Sequence, residues 1–138
     1  MASEQLGTLA NLSKSALVER AERILDGRRI PPEQTSQLRN MVQITQAETE
    51  VPVLVNFIRY QMGRKGQPSS FWEVLGPDVI TTLNEINSLA GGDAAARKSA
   101  IQNFFGFLVR HYVYLSATRK GQPRPDQGGP RRQQRERR

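Results

Sequence analysis

The chain has 138 residues, no cysteine, one histidine and a net charge of +7. This length suits one domain with a buried core, and the lack of cysteine excludes disulfides and thiolate metal sites. No basic region followed by an apolar run marks the N-terminus, so we expect no secretory signal and a cytoplasmic protein. The most apolar stretch is interrupted by charge and is shorter than the roughly 20 residues that cross a bilayer, so we expect no membrane contact.

Most of the positive charge lies at the C-terminal end. Residues 119–138 contain eight Lys or Arg and two acidic residues, and they contain no aliphatic residue. Such a segment cannot bury enough apolar surface to offset the entropy of ordering it. We therefore expect a disordered basic tail over 119–138, which either binds RNA or only solubilises the chain. Residues 1–12 are predicted to be a loose N-terminal extension, which leaves 13–118 as a nearly neutral helical bundle domain.

The first half of this domain shows the periodicity of three helices, and almost nothing in the chain is typical of a strand. Ser13 or Ser15 is predicted to cap the first helix, which ends at Gly27. A second helix is predicted over 33–48. A third is predicted over 51–65, because the proline that follows its first residue is tolerated in the first turn.

A break is predicted in the fourth helical segment. A short turn over 71–75 comes first, and the proline of Gly76-Pro77 is expected to interrupt it and to restart a helix over 78–90. The apolar spacing of this helix places Leu89 towards the core.

The last predicted helix, from Asp93 to Thr118, has two contrasting faces. One face repeats apolar residues at steps of three and four, which is typical of a buried stripe; its members are Ile101, Phe104, Phe105, Leu108, Tyr112 and Leu115. The opposite face is mixed and contains Phe107, Arg110, His111 and Tyr114. We expect Phe107 and Tyr114 to contact another protein. Together the segments predict an all-α fold, a compact bundle of five to six short helices.

Residues that could perform catalysis or bind a metal are sparse. The chain has a single histidine, and its paired carboxylates, Glu48 with Glu50 and Glu73 with Asp78, fall near predicted helix ends where acids serve as caps. Phosphate-binding loops and serine-nucleophile motifs are missing. We therefore predict that the protein is not an enzyme and has no cofactor, no metal site and no small-molecule substrate.

Basic residues on the predicted helices could instead contact RNA. Backbone recognition requires Lys or Arg side chains repeated on one surface. The candidates are Arg39, Arg59, Arg64, Lys65, Arg97, Lys98 and Arg110. The residues of the second and third helices share a surface if these two helices pack as neighbours, as their short connection favours. The alternative is that each is an ordinary solvated side chain, and charge alone does not decide between the two.

Three stretches follow one another in a suggestive order and spacing. They are Thr35-Ser36-Gln37-Leu38-Arg39-Asn40, then Phe57-Ile58-Arg59-Tyr60-Gln61-Met62-Gly63-Arg64, and finally Phe104-Phe105 through Tyr112-Val113-Tyr114. This arrangement resembles the small helical subunit of type III-A CRISPR-Cas effector complexes. The resemblance implies a noncatalytic subunit, present in several copies, that stacks along the guide RNA and its paired target beside the other subunits. It also implies that the basic residues contact the RNA backbone.

Two other functions stay open from the sequence. The protein could be a helical adaptor that binds another protein through the mixed face of its last helix. It could also be a stand-alone nucleic-acid-binding protein that acts through its basic tail.

Overall fold

The computed structural model describes residues 6–28, 35–64 and 67–120, and for 67–70 and 119–120 it describes the backbone alone. These ranges contain five helices and no strand. The helices are α1 (Lys14–Leu25), α2 (Thr35–Ala47), α3 (Val51–Gly63), α4 (Gln67–Ala90) and α5 (Ala94–Lys120). The predicted all-α bundle is thus confirmed.

Several predicted features lie outside the described residues. They are the first five residues, the start of the second predicted helix within residues 29–34, Lys65, and the basic tail from residue 121 onward. Within the described ranges, no helix has both the length and the apolar character that a membrane span requires.

The central helix is α5, which packs against α1, α2 and α4, while α3 packs against α4. Four aromatic side chains are fully buried between these helices: Phe71, Trp72, Phe104 and Phe105. The Phe71 ring meets the Trp72 ring edge-on at 5.3 Å between centroids and the Tyr112 ring at 5.9 Å. Edge-to-face contact is the geometry that aromatic quadrupoles favour. The buried stripe predicted for the last helix is therefore the face on which the bundle is assembled.

Both α1 and α5 begin directly after a capping residue, the predicted Ser13 for α1 and Asp93 for α5. Ser13 Oγ accepts a hydrogen bond from the Ala16 N–H at 3.1 Å, and Asp93 Oδ1 accepts one from the Ala96 N–H at 3.0 Å. Each bond satisfies a donor that has no partner within the helix. Gly27, just after α1, has φ of 75°, a conformation that glycine adopts without a steric cost.

The predicted break in α4 is wrong, because α4 is one continuous helix with Pro77 inside it. A proline disfavours helix in the preceding residue partly through a clash with its Cβ, and Gly76 has no Cβ. The glycine also allows a close approach to α3, since a Cβ built on Gly76 would lie 2.5 Å from Met62 Sδ. At the other end of α4, Leu89 is 43% exposed rather than core-facing, and Ala90 occupies the buried position before the turn.

Residues 6–12 do not form the loose extension that was predicted. Leu6 and Leu9 are only 3% and 4% exposed and belong to the core, and Leu12 packs against it. The segment follows the groove between α1 and α4, where Thr8 and Leu9 line cavities shared with both helices. We call residues 6–12 the N-terminal strap.

One buried arginine fixes the strap to the two helices. Arg20 is 3% exposed, and its guanidinium donates to the Gly7 carbonyl at 3.0 Å, to Thr82 Oγ1 at 3.0 Å and to Glu85 Oε1 at 2.6 Å. A buried charge is tolerated only when it is paired and hydrogen-bonded. Arg20 therefore holds the strap, α1 and α4 in one arrangement.

Candidate nucleic-acid interface

The helices of the bundle differ in charge. Neither α2 nor α3 nor α5 contains Asp or Glu, whereas α4 contains three acidic residues and no Lys or Arg. Two of the α4 carboxylates are paired within the protein, Asp78 with Arg28 and Glu85 with Arg20. Because α2 packs on α5, the surface that these two helices share has basic side chains and no carboxylate from either helix. A surface of this kind attracts phosphate groups.

The predicted packing of α2 beside α3 is wrong. α2 packs against α5, and α3 packs against α4. The long helices, with 24 residues in α4 and 27 in α5, offer more apolar surface than two 13-residue helices can offer each other. Arg39 and Arg59 therefore lie on helices with different partners. An RNA strand that contacts both Arg39 and Arg59 must follow the outside of the bundle rather than a groove between α2 and α3.

Three of the predicted basic residues extend into solvent. Arg39, Arg59 and Lys98 are exposed, and no hydrogen bond or ion pair joins them to another residue that the structure describes. A cation without an internal partner can bind a phosphate without first breaking a contact. These three side chains are the strongest candidates for backbone contact.

Arg64 is held in a defined position at the end of α3. Its Nη1 donates to Gln61 Oε1 at 3.2 Å, and its guanidinium carbon lies 5.8 Å from the centroid of the Tyr60 ring. Gln61 is buried, with 6% of its surface exposed, whereas Tyr60 is 62% exposed. A guanidinium within about 6 Å of a ring centroid makes a cation–π contact. The aromatic ring and the positive charge are thus presented together.

Arg97 is used inside the protein. Its Nε donates to the Thr49 carbonyl at 3.3 Å, and its Nη2 lies 4.0 Å from Glu50 Oε2. Only 14% of its side chain is exposed. These contacts hold the start of α5 against the connection between α2 and α3. Arg97 is therefore less available to a ligand than Arg39 or Arg59.

The predicted protein-contact residues lie on an aromatic part of α5. The Arg110 guanidinium carbon lies 5.7 Å from the Phe107 ring centroid, and His111 stacks on Tyr114 at 5.9 Å. His111 Nε2 also lies 2.7 Å from Asp26 Oδ1, which joins α5 to the end of α1. Phe107 is half-buried, whereas Tyr114 is 60% exposed. Tyr114 thus offers the larger free area to a partner.

Acidic and histidine side chains do not converge in the described part of the chain. No group of three or more of them there could hold a metal ion. Glu48 Oε2 accepts the Glu50 N–H at 2.9 Å, and Asp78 pairs with Arg28, so these carboxylates make structural contacts. An open groove of about 390 Å³ between the strap and α4 is lined by apolar and uncharged polar residues apart from Glu85.

Three features of this surface were missed from the sequence. The lack of acidic residues in α2, α3 and α5 can be read from the sequence, but it becomes a property of whole helices only once their bounds are known. The contact of Tyr60 with Arg64 had a signal in their spacing of four residues, which places two side chains on one helix face. The role of Gln61 had no such signal, because its burial depends on tertiary packing.

No protein-family model matches this chain, and comparisons with curated proteins and with solved structures find no similar protein.

Proposed function

We propose that this chain is the noncatalytic small subunit of a type III CRISPR-Cas ribonucleoprotein, with type III-A as the subtype that its sequence resembles. Several copies stack along the duplex of guide RNA and target RNA in the cytoplasm and contact its backbone, in antiviral defence. The observation that supports this most is the exposure of Arg39, Arg59 and Lys98 on helices without carboxylates.

Backbone contact is the mode of recognition that this surface favours. In RNA-guided complexes base pairing reads the sequence, and the protein binds the charge and shape of the backbone. Free Arg and Lys side chains suit that task because a phosphate is the same at every position. The subunit consequently accepts any guide sequence.

The partners in this proposal are the guide RNA, the target RNA, the other subunits of the complex and further copies of the chain. Cleavage and nucleotide chemistry belong to other subunits, so this chain needs no catalytic group, cofactor or metal. The exposed face around Tyr114 and Phe107 supplies the contact to a neighbouring protein.

Neutralising one arginine tests the backbone contact. We expect Arg59→Gln to weaken binding to guide–target duplexes by a similar factor for every sequence and to reduce the slope of log K against log salt by about one. The matched control is Lys14→Gln, which removes one exposed positive charge from α1, a helix that carries none of the candidate residues. Fluorescence anisotropy over a salt series measures both quantities.

Equal salt slopes for Arg59→Gln, Lys14→Gln and the wild type would remove Arg59 from the interface. Binding that disappears when the chain is truncated after Lys120, while the bundle stays folded, would assign RNA binding to the tail instead.

A helical adaptor is the second candidate function. Tyr114 and Val113 are 60% and 40% exposed on α5, which is a larger aromatic and aliphatic area than a solvent-facing helix requires. An apolar interface of this kind keeps its affinity as salt rises, whereas backbone binding falls steeply. The same salt series therefore separates the two functions.

A further inference from the structure

Tyr60 is an exposed aromatic residue whose ring has an arginine side chain packed over it. With 62% of its surface exposed, it contributes little to the core. Such rings are usually left to move in solvent, but this one has a cation above it, because the Arg64 guanidinium carbon lies 5.8 Å from its centroid. Its position therefore needs an explanation other than packing.

Arg64 is itself held in place by two hydrogen bonds to Gln61. Its Nη1 donates to Oε1 of Gln61 at 3.2 Å, and its backbone N–H donates to the Gln61 carbonyl at 3.3 Å. Gln61 is 6% exposed, so its side chain is fixed by the packing of α3. The buried amide positions the guanidinium, and the guanidinium positions the ring. A binding group that is ordered in advance loses less entropy when a ligand arrives.

The charged side chains of α3 and of its C-terminal cap are arginines, Arg59 and Arg64. Arg59 precedes Tyr60 in the chain and is exposed, and α3 contains no acidic residue. An aromatic ring next to exposed cations matches a nucleotide, because the base stacks on the ring while the cations bind the adjoining phosphates. An acid-free helix with one arginine within it and a second at its C-terminal cap is a poorer match to an apolar protein surface.

We propose that Tyr60, together with Arg64, is a stacking platform for an unpaired base of an RNA strand, with Arg59 bound to the adjoining phosphate. This inference rests on the proposed function, since it assigns RNA to α3, where Arg59 lies, and it adds that this helix binds single-stranded as well as paired RNA. The base stacks through its π-face, so the platform accepts any of the four bases.

Substitution of the ring tests the platform in the full-length protein. We expect Tyr60→Ala to weaken binding to a short single-stranded RNA by at least about fivefold, while Tyr60→Phe binds like the wild type because stacking does not require the hydroxyl. The salt slope should stay unchanged, since no charge is removed. Leu89→Ala is the control, as it removes an exposed apolar side chain from α4, a helix to which no binding role is assigned.

Photo-crosslinking provides a readout that the basic tail cannot mask. Single-stranded RNA containing 5-iodouridine should crosslink to Tyr60, as peptide mass spectrometry would show, and the crosslink should be absent in Tyr60→Ala. Circular dichroism and thermal unfolding check that the variants are folded, which we expect because an exposed side chain contributes little to stability.

The outcomes separate this inference from the proposed function. If the wild type binds duplex RNA but Tyr60→Ala binds single strands as well as the wild type does, the platform is wrong and the proposed function stands. Equal losses in Tyr60→Ala and Leu89→Ala, or crosslinks confined to other residues, overturn the platform too. So does a loss of association between copies with RNA binding intact, which would assign Tyr60 to a protein contact. A wild type that binds neither form of RNA overturns both.

Discussion

Gly76 lies where α4 comes closest to α3, and its missing Cβ leaves room for the Met62 side chain. A Cβ at this position would lie 2.5 Å from Met62 Sδ and 2.9 Å from its Cγ. It would also crowd the ring of Pro77, which already strains a helical residue in front of it. One hydrogen in place of a methyl group thus allows both the continuous α4 and its packing on α3.

We predict that Gly76→Ala lowers the free energy of unfolding by about 1 to 3 kcal/mol, because the added methyl group overpacks the contact. The cost should be smaller in a Met62→Ala background, with a coupling of roughly 0.5 to 3 kcal/mol between the two sites. Denaturant unfolding of the wild type, the two single variants and the double variant measures this coupling.

Gly106→Ala is the control for helix propensity. Gly106 lies inside α5 with no atom near the Cβ position, so the substitution should stabilise the protein by up to about 1 kcal/mol. Additive effects of Gly76→Ala and Met62→Ala would contradict the close contact.

The N-terminal strap is an element that the sequence did not indicate. Leu6, Leu9 and Leu12 are spaced by three, but Gly7 interrupts the segment and no long apolar period surrounds them. Their burial depends on a groove between α1 and α4, and on the buried Arg20 that bonds to the strap backbone. A groove formed by distant segments leaves no local pattern, which is why this element could not be predicted.

We predict that Leu9→Ala lowers the free energy of unfolding by about 2 to 5 kcal/mol, the usual range for a buried leucine. Leu89→Ala is the matched control, since it deletes the same atoms from a side chain that is 43% exposed, and it should cost less than about 1 kcal/mol. Chemical denaturation measures the free energy of unfolding of both variants. Similar small costs for the two would mean that the strap is not part of the folded core.

The remaining helices were predictable to the extent that one face of each is buried. The stripe of α5 from Ile101 to Tyr112 is buried, as its spacing of three and four residues predicts. The N-terminal ends of α1 and α5 follow from the side chains of Ser13 and Asp93, which accept hydrogen bonds within the first turn of each helix. The α4 break failed because Gly76-Pro77 was interpreted by propensity alone. Tertiary contact with Met62 outweighs that propensity.

At the scale of the whole molecule, acidic and basic residues are distributed unevenly among the helices. The acid-free helices α2 and α5 pack together, while the carboxylates of α4 include two that pair with arginines inside the bundle. Arg39 and Arg59 were predictable as exposed cations because they fall away from the apolar stripes of α2 and α3. Their arrangement in space was not, because it depends on which helices pack together. That choice is made by the large apolar surfaces of α4 and α5.

Purification of the tagged full-length chain from the cells that make it tests the central claim most directly. We predict that a short, discrete RNA and larger protein subunits are recovered with it, with more than one copy of the chain for each RNA. The Arg59→Gln variant should recover less of this RNA than the Lys14→Gln variant. Recovery of the chain with partner proteins but without RNA would contradict the claim that its basic surface binds an RNA backbone.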